Sequence, residues 1–220
     1  MKSKLHIFLF TILFLGLSCG DDGEPDVTVV PEADRNEQQV IDNDSLLGYL
    51  QTHYINSSFL INNQNISLDE IVINSLPDDG VLPEPDVNTL LVDLVETHTT
   101  TYSETDYEYY VLKLNQGGGV NSPNFSDKVR VSYEGNLMDA TVFDSSYSPA
   151  DFDLTATIAG WGRVLPEFNN AIDFNVNGDG TITFNDPGIG VMFLPSGLGY
   201  YSSAAGSVPV YSNLIFKFKV

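Results

Sequence analysis

The side chains that could carry chemistry in this chain are aromatic rather than nucleophilic. Of 220 residues, 13 are Phe, 11 are Tyr and one is Trp. The second half strings several of them on short motifs: Val131-Ser132-Tyr133-Glu134-Gly135, Phe143-Asp144-Ser145-Ser146, Thr157-Ile158-Ala159-Gly160-Trp161, Leu198-Gly199-Tyr200-Tyr201, and Phe216 in the final apolar run. No glycine-rich loop leads into Lys-Ser, and there is no Gly-x-Ser-x-Gly elbow, His-Glu-x-x-His pair or cysteine cluster, so the common phosphate, nucleophile and zinc signatures are missing. His53 and His98 stand without a second His or Cys at ligand spacing and read as surface or packed side chains. Aromatic rings with a few polar groups suit a concave site for a small ligand or peptide. The same rings on strands also suit an ordinary core, and at this level both readings stand.

Composition narrows the classes. The formal charge is −21, from nine basic against 30 acidic residues. Phosphate binding is driven mainly by Lys and Arg, so a nucleic-acid partner is excluded; an acidic surface keeps a protein soluble. A chain of this length supports one main domain and a smaller appendage. The single cysteine forms no internal disulfide.

The elements that must position the aromatics follow from periodicity. Asp42-Asn43-Asp44-Ser45 reads as a cap for a helix near 44–56, with Leu46, Leu47, Leu50, Tyr54 and Ile55 at helical spacing. Residues 66–73 and 90–95 are short apolar segments separated by Pro77, Gly80, Pro83 and Pro85, and the pattern assigns them no fold. From Tyr107 the period changes to two, which predicts strands near 109–114, 128–133, 140–143, 152–158, 191–194 and 213–220, and a short helix over 164–172. The expected class is α+β, an antiparallel β-sheet wrapped around a short helix, behind a partly helical N-terminal extension at 38–106.

The N-terminus reads as a targeting segment. Lys2 and Lys4 precede the apolar run Leu5–Leu17, which is short for a membrane span. Leu15-Gly16-Leu17-Ser18-Cys19 resembles a bacterial lipoprotein signal, with Gly16 where a branched aliphatic residue is usual. The resemblance implies cleavage of residues 1–18, lipidation of Cys19, and a cell-envelope location on the periplasmic face or at the surface of the outer membrane. Residues 19–37, rich in Asp, Glu, Pro and Gly, read as an acidic tether.

The motifs above, in their order and spacing over 107–220, resemble FKBP-type peptidyl-prolyl isomerases. The resemblance implies that Tyr133, Phe143, Phe152, Trp161, Val208 and Phe216 line a prolyl pocket. It further implies that the Ile158 amide and the Tyr200 hydroxyl hold flanking carbonyls, and that Asp144 and Tyr200 carry the catalysis. Its implied partners are proline-containing exported polypeptides and macrolide-type ligands, with no cofactor. A non-catalytic chaperone or binding module on the same fold is the alternative. Tyr201, where the family has Gly, and the short stretch between Phe143 and Trp161 depart from the pattern. An insertion at 173–190 also stands apart. Asn175, Asn177, Asp179, Gly180, Thr181 and Asp186 resemble a calcium loop with few anionic ligands. Its residues read preferentially as a β-hairpin turning at Asn177–Gly180.

Overall fold

The computed structural model describes residues 32–220. The expected signal segment, Cys19 and the expected tether as far as residue 31 lie outside the described residues. Helix α1 spans Arg35–Thr52 and so takes in the end of the expected tether; it starts well before residue 44. Its cap is Asp34, whose carboxylate accepts from the N–H groups of Asn36 (2.9 Å) and Glu37 (3.1 Å). Asp42–Ser45 therefore lie inside the helix. The helix ends where His53 turns extended and enters strand β1 (His53–Ile55), which takes Tyr54 and Ile55 off the expected helix.

A one-turn helix α2 (Ser57–Leu60) follows, and β1 pairs on either side with β2 (Asn74–Ser75) and β3 (Thr89–Leu90). The second sheet comprises β4 (Glu96–Tyr102), β5 (Thr105–Asn115), β6 (Lys128–Asn136), β7 (Val142–Asp153), and, after helix α3 (Trp161–Val164) and the hairpin β8 (Asp173–Val176) and β9 (Ile182–Asn185), β10 (Ile189–Leu194) and β11 (Leu214–Lys219). Its order is β4-β5-β10-β11-β6-β7, antiparallel throughout. Two expectations change here. The strands expected at 140–143 and 152–158 merge into β7, and residues beyond Asp153 turn away from it. The helix expected over 164–172 begins at Trp161 and gives way to a 3-10 turn at Leu165–Glu167. Pro166 has no N–H with which to continue an α-helical ladder, and the chain is extended by Phe168.

The six-stranded sheet is apolar on both faces. Tyr107, Tyr109, Val111, Met192, Leu194, Leu214, Phe216 and Phe218 pack with Trp161, Val164, Leu165 and Phe168. Their alternating neighbours Tyr110, Leu112, Leu114, Val191, Phe193 and Ile215 pack with Leu46, Tyr49 and Leu50 of α1 and with Ile66, Leu68, Ile71 and Leu91. The extension is thus the second cover of the sheet, inside the compact unit Glu32–Val220.

One polar residue ties that cover to the far loop. Asp42 is only 2% exposed. Its Oδ2 accepts from the N–H (2.8 Å) and Oγ (2.6 Å) of Ser196, and its carbonyl accepts from Asn213 Nδ2 at 3.0 Å. Burial pushes the Asp42 carboxyl above its usual range, against the pull of the Ser196 and Gln38 hydrogen bonds.

The insertion forms the hairpin, with Asp173–Val176 paired to Ile182–Asn185. Asp179 Oδ1 accepts from the Thr181 N–H and hydroxyl, Asn177 Nδ2 donates to Thr181 and Thr183, and Asp186 Oδ1 accepts from Asn115 Nδ2. The residues of the calcium-like pattern are engaged in the turn and its anchorage. Among the described residues, no helix is long and apolar enough to cross a membrane.

Because α1 and the sheet share one core, Leu46→Ala should destabilise the whole unit by about 2–5 kcal/mol. Urea unfolding followed by far-UV circular dichroism and by Trp161 fluorescence should shift together. A Trp161 transition that stays in place while the helical signal moves would show that the extension folds separately.

Candidate functional site

Three strands and the start of α3 deliver the aromatic residues to one place. Tyr133 comes from β6 and stands opposite Phe218 of β11; Gly135, two residues on, stands opposite both Phe216 and Asp144. A Cβ on Gly135 would lie 2.7 Å from the Phe143 ring and 2.8 Å from the Phe216 ring, so the absent side chain is what lets those rings meet edge to face over the strand. Trp161 fills the middle. Its centroid lies 4.9 Å from Phe216, 5.2 Å from Phe152, 5.8 Å from Phe218 and 5.9 Å from Tyr133. Such separations and tilted or edge-on contacts are the favoured aromatic geometries.

The site is a closed floor with a half-open rim. Trp161 and Phe216 are each 3% exposed and Tyr133 is 8% exposed, whereas Phe143, Phe152, Ile158 and Tyr200 are half-buried and pack against them. Val208 is buried in the same cluster, on a tight turn closed by hydrogen bonds with Ala205. The two sides of the rim are joined through Gly160, whose N–H donates to the Leu198 carbonyl at 2.9 Å. Tyr133, Phe143, Asp144, Phe152, Ile158, Trp161, Tyr200, Val208 and Phe216, all singled out in the sequence, are brought together here.

The polar groups are few. Tyr133 donates its hydroxyl to Asp144 Oδ2 at 2.6 Å. Burial first, then that hydrogen bond and the Asp144 charge, raise the Tyr133 phenol well above its ordinary value. Burial and the Asp144 charge raise Tyr200 in the same sense. Both phenols are therefore held neutral as donors. Among the described residues neither the Tyr200 hydroxyl nor the Ile158 N–H has a hydrogen-bond partner, which leaves two donors beside an apolar floor. With Asp144, the carboxylate of the group, engaged by the Tyr133 hydroxyl, the arrangement can orient carbonyls and strip water from an apolar ring.

Sequence reasoning missed two features. Phe218 and Gly135 belong to the site through register alone. His98, read as isolated, faces two carboxylates: its Nδ1 lies 3.1 Å from Glu167 and its Nε2 3.6 Å from Glu96. Lys113 stands 3.7 Å from Glu96 and supplies the group with a cation. Burial raises the Glu167 carboxyl, opposed by His98 and Lys113. No spacing in the chain could reveal this contact, because strand pairing and the turn after α3 create it.

Comparison with known proteins places the recognisable part of the chain. Residues 119–220 match the model for FKBP-type peptidyl-prolyl cis-trans isomerase. Peptidyl-prolyl cis-trans isomerase Mip of Coxiella burnetii is 48% identical over 61 residues, 26% of this chain and 25% of that protein. The FKBP-type peptidyl-prolyl cis-trans isomerase FkpA of Aeromonas hydrophila is 34% identical over 119 residues, 52% of this chain and 37% of that protein. The crystal structure of FkpA from Escherichia coli covers 56% of this chain and 50% of that chain at 26% identity, with a TM-score of 0.42. The match to these curated relatives spans well under half of their own length.

The Tyr133–Asp144 bond makes a spectroscopic prediction. With tyrosine rings labelled by carbon-13, Tyr133 should titrate above exposed tyrosines, alongside Tyr49, Tyr109 and Tyr110, which burial pushes up to about 12. Asp144→Asn removes the charge and should bring Tyr133 down while leaving those three unchanged. An unmoved Tyr133 would leave burial as the only cause.

Proposed function

We propose, from the premise that residues 119–220 are an FKBP-type peptidyl-prolyl cis-trans isomerase domain, that this chain accelerates rotation about Xaa-Pro bonds in exported polypeptides. The reaction needs no covalent intermediate. Its barrier of about 18–20 kcal/mol comes from the amide resonance lost on twisting. The planar amide owes much of its polarity to that resonance, so a site that removes water disfavours the planar form more than the twisted one. On this reading Trp161 and Phe216 floor the prolyl ring, Tyr133, Phe143 and Phe152 wall it, and Val208 closes one side. The Tyr200 hydroxyl and the Ile158 N–H hold the flanking carbonyls. Asp144 acts electrostatically on the turning carbonyl and keeps Tyr133 in place. The observation that carries the reading is the pair of donors, unpartnered among the described residues, at the rim of an aromatic floor. Macrolide-type ligands with a pipecolyl or prolyl-like ring would occupy the same floor.

The proposed setting is the bacterial cell envelope, with the chain anchored by acyl groups on Cys19. It is supported by the charged, apolar and Ser18-Cys19 sequence of the first 19 residues. Mass spectrometry of the protein from a bacterial host should find an acylated N-terminal Cys19. Recovery of an unmodified Cys19, or of cleavage at another bond, overturns the anchor.

Activity on Xaa-Pro peptides tests the catalytic reading. Tyr200→Phe and Asp144→Ala each remove one polar group and keep most of the packing; each should lower kcat/KM by roughly three- to tenfold, the worth of one hydrogen bond, with thermal stability close to wild type. Two well-folded variants with full activity would remove these residues from the mechanism. A wild type that binds prolyl peptides without accelerating exchange would establish the binding-module alternative.

A further inference from the structure

We infer that the N-terminal helix α1 supports the prolyl site from outside, and that its residues Asp42 and Arg35 are positioning residues for Tyr200. The inference rests on the isomerase reading above.

The loop from Pro195 to Asn213 carries Tyr200 and Val208 and is held at three points by the segment 32–42. At the first, Asp42 takes both donors of Ser196 and, through its own carbonyl, the Asn213 side chain, so one helix residue grips both ends of the loop. At the second, the Arg35 guanidinium lies 3.9 Å over the Tyr201 ring and donates from Nη1 to the Tyr107 hydroxyl at 3.2 Å. At the third, Tyr201 donates its hydroxyl to the Ala33 carbonyl (2.5 Å), and the Ala33 N–H donates to the Tyr211 hydroxyl (2.9 Å).

Tyr201 is the critical link. It is 4% exposed and has a φ of 51°, a left-handed backbone that a bulky side chain adopts only under external constraint. The residue before it is Tyr200. With Tyr201 locked against Arg35 and Ala33, the backbone of Tyr200 is fixed as well, and its hydroxyl is left facing the rim that Asp144 shares. Main-chain bonds from the Tyr201 N–H to the Ser196 carbonyl (3.0 Å) and from the Tyr211 N–H to the Tyr201 carbonyl (2.7 Å) hold the turn from within, and the Arg35 and Ala33 contacts hold its side chain from outside. Neither Asp42 nor Arg35 contacts the aromatic floor, so each would act through Tyr200.

The test is a double-mutant cycle in the full chain, reading kcat and KM on an Xaa-Pro peptide together with thermal unfolding. Asp42→Asn takes the charge from the acceptor of both Ser196 donors and turns an amide donor toward Gln38 Nε2, and should lower kcat by up to roughly the three- to tenfold expected of Tyr200→Phe. In a Tyr200→Phe background the same substitution should cost little more, because the hydroxyl it positions is already gone. Arg35→Met keeps the stem and loses the stacked cation; it lies at the surface end of the contact and serves if Asp42→Asn does not fold. Arg35→Lys should recover part of the loss. Additive effects in the Tyr200→Phe background, or unchanged kcat in both single variants, overturn the positioning role while leaving the isomerase reading intact. A wild type without isomerase activity overturns that reading, and this inference with it.

Discussion

A sheet that is apolar on both faces must be covered twice, and the rest of this structure follows from that requirement. One face is covered by α3 and the loops around it, which bury Trp161, Val164, Leu165 and Phe168. The other is covered by α1 and the small β1–β3 sheet through Leu46, Tyr49, Leu50 and Ile55. Water in contact with either face would cost roughly 25 cal/mol for each Å² of apolar surface left exposed. The segment that matches a known family begins at residue 119, so β4, β5 and the whole second cover lie outside it. In this chain they are nevertheless structural parts of the same unit.

The two covers differ in what they allow. On the α3 side, the rings of Trp161, Phe216 and Tyr133 pack closely, yet their neighbours Phe143, Phe152, Ile158 and Tyr200 remain half open to solvent, so the core runs continuously into the rim of the site. On the α1 side the core is closed, and the buried carboxylate of Asp42 is spent on the loop that returns to the rim. Both layers carry hydrogen-bonded polar groups: the buried Asp42 carboxylate accepts from Ser196, and the Tyr133 hydroxyl reaches out to the exposed Asp144.

Much of the site was legible in the sequence because its residues sit in short motifs whose strands keep them in order: Tyr133 on β6, Phe143 and Asp144 on β7, and Phe216 on β11. The alternation of Leu214-Ile215-Phe216-Lys217-Phe218-Lys219 also marks β11 as a strand. What escaped was set by contacts distant in sequence. Asp42 looks like a helix cap among Asn43, Asp44 and Ser45; only the approach of Ser196 turns it into a buried clamp. The helix over 164–172 was read too late because Val164, Leu165 and Phe168 are indeed buried on one side, but by a single turn and a 3-10 segment rather than a regular helix. His98 gained its carboxylate neighbours from strand register, which no local pattern encodes.

The order of strands also has a kinetic consequence. β5 pairs with β10, and Asp42 bonds to Ser196 across 154 positions of chain. A polypeptide made from its N-terminus exposes the apolar stripe of Leu46, Tyr49 and Leu50 long before β10 and β11 exist to receive it. Topologies dominated by such distant pairings fold slowly, and uncovered stripes of this kind invite aggregation in the interval. The nascent chain therefore needs shielding from the emergence of α1 until the last strand is complete.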